Sequence, residues 1–79
     1  MMTDRDRKML AALASYDCFK SVPVLQYYHP ELKEYTKSQL FSSASRLYRD
    51  GLILRTITTP EREARYRITE QGRKVLASI

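Results

Sequence analysis

The sequence predicts a small α+β domain: helices come first, a β-hairpin follows, and a short helix closes the chain. Three observations point there. Apolar residues recur at helical spacing as far as Gly51. The stretch GLILRTITTPEREARYRIT (Gly51 to Thr69) then alternates apolar and polar residues on either side of a turn-forming Thr-Pro-Glu. After it, Thr69 stands where a helix cap is needed, ahead of Val75, Leu76 and Ile79. With 79 residues there is room for one domain, residues 1–79, near the smallest size that folds on one core without disulfides or metals.

Each element has its own local reason. Thr3 precedes the acidic first turn Asp4, Asp6, and Met9, Leu10, Leu13 and Tyr16 follow at helical spacing, so a first helix is expected from about Asp4 to Tyr16. Cys18 to Val22 suits a minor strand. Ser21 and Pro23 resemble a helix start, with Val24, Leu25 and Tyr28 as one side of a brief second helix. His29 through Glu34 read as a connection, because Pro30 disfavours a helical residue before it. Thr36 and Gln39 form a capping-box pattern that opens a third helix, about Lys37 to Asp50. Leu40, Ala44, Leu47 and Tyr48 share its apolar stripe, and Gly51 is a natural left-handed stop. Strands are expected over Leu52 to Thr58 and Ala64 to Ile68, with a tip near Pro60 to Glu63; Tyr66 and Ile68 face one side, Arg65 and Arg67 the other.

The formal net charge is +5, and its distribution matters more than its size. Residues 1–36 balance Arg5, Arg7, Lys8, Lys20 and Lys33 against Asp4, Asp6, Asp17, Glu31 and Glu34. Residues 37–79 hold nine bases against four acids, which accounts for the entire excess. Lys and Arg concentrated in this way suit a polyanion, because pairing with phosphates releases condensed counterions. No apolar run approaches the roughly 20 residues that span a bilayer, and no signal-type segment opens the chain, so an intracellular, cytoplasmic protein is expected. A single cysteine forms no internal disulfide and no cysteine-rich zinc site.

The order of elements, with SRLYRDGLILR (Ser45 to Arg55) at the end of the third helix and RYRITEQGRKVL (Arg65 to Leu76) after the hairpin, resembles the winged helix-turn-helix core of MarR-like and PadR-like transcription regulators. In those families a helix likewise ends in a leucine, a polar pair and Gly-Leu, and the second wing strand likewise leads into a Thr-Glu-x-Gly-Arg helix start. The resemblance covers about half the chain. It implies sequence-specific binding of double-stranded DNA, with the third helix in the major groove and the 52–68 hairpin as a wing. Regulators of this kind act as homodimers through long additional helices; ten residues follow Thr69 here, so the mode of dimerisation does not carry over.

On the third helix, Ser38, Ser42, Ser45 and Arg49 lie opposite the apolar stripe, flanked by Gln39 and Arg46, with Lys37 at the start. A helix fits the major groove, and small hydroxyl side chains allow close approach. Gln39 pairs well with adenine, and Arg46 or Arg49 with guanine or phosphate. Arg55, Arg62, Arg65 and Arg67 are the expected wing contacts to the DNA backbone, although Glu61 and Glu63 at the tip oppose deep insertion. Arg73 and Lys74 would add solubility or further backbone contacts. A plainer reading leaves these residues as a solvated face with weak ion pairs. A different function, a winged helix that binds an acidic protein instead of DNA, fits the same charge. Single-stranded nucleic acid would call on the six tyrosines, whose spacing suits core or core-edge positions better. Nothing supports an enzyme, cofactor or metal site: His29 stands alone, Cys18 reads as a small buried group, and no phosphate loop or spaced ligand set occurs.

Overall fold

Thr3, Ser21, Thr36 and Thr69 each cap a helix with a side-chain oxygen, and these four caps divide the chain. A computed structural model describes residues 2–79. The elements are α1 (Asp4–Leu13), β1 (Lys20–Ser21), α2 (Val22–Tyr28), a 3-10 turn (Pro30–Leu32), α3 (Lys37–Arg49), β2 (Ile53–Thr58), β3 (Glu63–Ile68) and α4 (Glu70–Ala77). The strands form one antiparallel sheet in the order β1-β3-β2. Among the described residues, no helix is long and apolar enough to cross a membrane.

The core is built from the predicted stripes. Met9, Leu10 and Leu13 of α1, Leu25 of α2 and Leu40 and Ala44 of α3 are fully buried, and Ile53, Tyr66 and Ile68 close it from the sheet. At roughly 1.5–3 kcal/mol per large apolar side chain, this burial is the main source of stability.

Several boundaries differ from the sequence reading, each for a physical reason. The first helix stops at Leu13, not Tyr16: tighter bonds from Ser15 N to Ala12 O and Tyr16 N to Leu13 O unwind its end. The last turn of α1 has no basic residue of its own, and Arg73 of α4 supplies one. Its guanidinium donates to Ala14 O (3.0 Å) and Tyr16 O (3.1 Å) and pairs with Asp17 (3.0 Å). Arg73 therefore fastens α4 to the carbonyl end of α1.

The connection after α2 is ordered by packing. Leu32 is fully buried, and the Gln26 amide donates to Tyr35 O (2.9 Å) and Leu32 O (3.4 Å). Of the tyrosines, Tyr66 alone is buried and Tyr16 and Tyr35 are half-buried at the core edge; Tyr27, Tyr28 and Tyr48 are exposed, where core or core-edge positions are expected for most of them. Tyr16 donates or accepts a 2.9 Å bond with His29 Nε2, and His29 lies 3.5 Å from Glu31. Cys18 is exposed, not buried, because the short strand begins two residues later.

Candidate nucleic-acid interface

Helix α3 starts on the predicted capping box. Thr36 Oγ1 accepts from Gln39 N (3.1 Å), and Gln39 Oε1 accepts from Thr36 N (2.9 Å). From there the helix buries Leu40, Ser43, Ala44 and Leu47 and leaves Lys37, Ser38, Gln39, Ser42, Ser45 and Arg49 exposed. No residue of α3 is acidic. The exposed face is therefore hydroxyl-lined and cationic, with side chains short enough for its backbone to approach a partner closely. The cap occupies the Gln39 carbonyl oxygen, so a two-bond pairing with adenine would require Gln39 to share that oxygen.

Arg46 and Tyr48 lie elsewhere than the sequence reading placed them. The Arg46 guanidinium makes two bonds to Asp6 of α1, Nε to Oδ2 at 3.1 Å and Nη2 to Oδ1 at 2.6 Å. Asp6 is 4 % exposed. Ser43 joins the group, accepting from Arg5 Nε at 2.7 Å. This cluster clamps the middle of α3 to α1 and turns Arg46 away from the serine face. Tyr48 is exposed beside the wing, with the Arg55 guanidinium 4.5 Å from its ring centroid in a cation–π contact.

Burial pushes the Asp6 carboxyl up, but hydrogen bonds from Arg46 and Ser43 and the Arg46 charge outweigh it and hold it below its ordinary 3.8. A carboxyl lowered on folding stabilises the fold above its unfolded value, and that stability disappears as pH falls through the folded value. Asp6→Asn is thus expected to lower Tm by about 5–10 °C near neutral pH. The gap from wild type should begin to narrow as pH falls below about 3.8 and close only below the lower folded value, in thermal melts followed by circular dichroism. A gap independent of pH would show that the charge of Asp6 is irrelevant.

The hairpin register decides where its arginines point. Arg55 pairs with Tyr66, Thr56 with Arg65 and Leu54 with Arg67. Directly opposed residues share a face, so Arg55 lies on the Tyr66 side, toward α3, whereas Arg65 and Arg67 lie on the reverse with Leu54. Arg65 is also paired with Glu63 at 2.9 Å. Arg62 occupies the tip with φ 56°, a left-handed conformation, in the turn that also holds the cis Thr59–Pro60 bond. The four wing arginines thus form two groups joined at the tip, not a single row.

The angle between hairpin and helix rests on one close approach. Thr69 donates its backbone N–H to Leu52 O (3.0 Å) and its hydroxyl to Gly51 O (2.9 Å), while accepting from Gly72 N (3.0 Å). The Leu52 carbonyl sits in the space a side chain at Gly72 would need. Gly51 itself, at φ 76°, makes the turn from α3 into β2. The Gly-Leu and Thr-Glu-x-Gly pieces of the sequence are therefore two halves of one joint.

Sequence reasoning missed the Asp6–Arg46–Ser43–Arg5 cluster, although a signal existed. Asp6 falls on the same stripe as Met9, Leu10 and Leu13, and Ser43 on the stripe of Leu40, Ala44 and Leu47. A carboxylate on an apolar stripe requires a buried cation.

The structure matches the crystal structure of a transcriptional regulator of the MarR family from Silicibacter pomeroyi, with a TM-score of 0.80 and 23 % sequence identity. The match covers 98 % of this chain and 49 % of that one, so the chain spans about half the length of that regulator. No family model and no curated protein matches the sequence. The likeness is one of fold, an α+β winged helix-turn-helix, which agrees with the fold expected from the sequence.

Proposed function

We propose that the chain is a sequence-specific double-stranded DNA-binding domain of a transcription regulator. One observation carries this reading: α3 has no acidic residue of its own and presents a face of hydroxyls and cations, of which Arg49 lies 3.4 Å from Asp50 just past the helix end, clamped beside an arginine-bearing hairpin. Base contacts are assigned to Lys37, Ser38, Gln39, Ser42, Ser45 and Arg49. Arg46 holds the helix in place through Asp6. Arg55 and Arg62 serve the backbone on the side of α3, and Arg67, with Arg65 partly neutralised by Glu63, serves it from the outer face of the wing. The fold likeness to a transcriptional regulator supports this assignment.

A homodimer suits a twofold-symmetric site. With DNA as its partner, the protein would work in the cytoplasm and not as an enzyme.

Selection of bound sequences from random duplexes at physiological salt tests the proposal. An enriched motif is expected, with affinity falling by about 0.9 log units per log unit of salt for each phosphate contact. Arg62→Ala and Arg67→Ala should each lower that slope by about 1 and leave the motif intact, whereas Arg49→Ala should change the motif. Tyr27 and Tyr28, 72 % and 64 % exposed, favour a second reading, a winged helix that docks on a protein. Absence of any motif, together with duplex affinity insensitive to salt, would decide for it.

A further inference from the structure

Phe41 is the side chain that the DNA-binding reading leaves unused. It is 39 % exposed, whereas its neighbours Leu40 and Ala44 are fully buried. It lies one turn from Ser38 and Ser45 and next to Ser42, on the edge of the serine face nearer Tyr48 and the wing. Among the described residues no ring or cation stacks on it, unlike Tyr48, which Arg55 covers. An apolar protein partner would call for a contiguous apolar patch. Phe41 has hydroxyls on one side, Tyr48 with its ring under the Arg55 guanidinium on the other, and Lys37 one turn away, so its apolar surface is bounded by polar and cationic groups, which suits a polar, anionic ligand carrying isolated methyl groups. The major groove of DNA is such a surface, because thymine places a 5-methyl there beside its acceptor oxygen.

We propose that Phe41 determines specificity by packing on a thymine 5-methyl group when α3 occupies the major groove, so that the site must contain thymine at that position. This rests on the DNA-binding reading above and adds a base to it. Cytosine in the same place would offer no methyl, and uracil would keep every hydrogen-bonding group and lose only the methyl.

The test uses the duplex enriched from random sequence, with each thymine replaced in turn by deoxyuridine and binding followed by fluorescence anisotropy at constant salt. At one position for each bound copy, the replacement should weaken wild-type binding about fourfold, the value of one buried methyl. Phe41→Ala should bind the thymine duplex about as weakly and show no thymine–uracil difference. Phe41→Gln, which keeps side-chain length and suits a helix, should also lose the difference, and circular dichroism would confirm that both variants fold. Should neither fold, the scan on wild type decides alone. Tight duplex binding with no position sensitive to uracil, or a difference that persists in either variant, overturns the role of Phe41 and leaves the DNA-binding reading standing. Failure to bind any duplex overturns both.

Discussion

Replacing Gly72 with valine is expected to leave no cooperatively folded protein at 25 °C. Glycine inside a helix ordinarily costs about 1 kcal/mol relative to alanine, so intrinsic propensity favours the substitution. The surroundings reverse that sign. A Cβ on Gly72 would lie 2.8 Å from Ile68 Cγ1 and 3.1 Å from the Leu52 carbonyl carbon, and closer still to the Leu52 oxygen. That oxygen belongs to the backbone and accepts from Thr69 N at 3.0 Å, so it does not swing aside without breaking the joint between α3, the hairpin and α4. Gly72→Ala is expected to lower Tm by about 10–15 °C, corresponding to roughly 2 kcal/mol in a domain of this size. Valine adds two more methyl groups to the same overlap. Against a total stability of about 4–12 kcal/mol for this chain length, that exceeds what the fold tolerates. Gly51→Ala is the control: nothing lies within 4 Å of its Cβ, but φ of 76° costs about 1–2 kcal/mol, a drop of about 5–10 °C. A Gly72→Ala protein that melts at or above wild type would show that the close approach is not what holds the wing.

The same joint shows what was legible in the sequence. Thr69 and Thr36 as caps, Gly51 as a stop and the alternation of Tyr66 and Ile68 with Arg65 and Arg67 are local signals, and the structure bears them out because each is satisfied within a few residues. Arg46 is different. Its position on the α3 wheel is compatible with a groove-facing side chain, and what turns it away is Asp6, 40 residues earlier and across a helix interface. Arg55 and Arg65 look equivalent in a list of cations. They part company only once the register sets Arg55 against Tyr66 and Thr56 against Arg65, and register is a property of the pair of strands. Phe41 is 39 % exposed beside the fully buried Leu40, a difference that no local sequence signal specifies. The fold followed from short-range rules; the direction in which each cation points did not.

Ser42→Glu carries the largest expected effect on function. Ser42 is exposed at the middle of the face that holds Ser38, Ser45 and Arg49, opposite the buried Leu40 and Ala44. Glutamate is as good a helix former as serine or better, and no packed neighbour has to move, so the thermal midpoint should stay within about 3 °C of wild type. A carboxylate there would face phosphates and acceptor-rich base edges at close range, a like-charge juxtaposition worth several kcal/mol. Duplex affinity should therefore fall about a hundredfold or more at physiological salt, measured by anisotropy or mobility shift. Lys74→Glu, which changes net charge by the larger amount but sits on α4, outside α3 and the hairpin, separates local from general electrostatics. It should weaken binding by only a few-fold and lose even that as salt approaches 0.3 M, where screening shortens to about 6 Å. If the two variants lose affinity equally, the charge of the whole molecule and not the α3 face attracts DNA, and assigning base contacts to that helix would have to be abandoned.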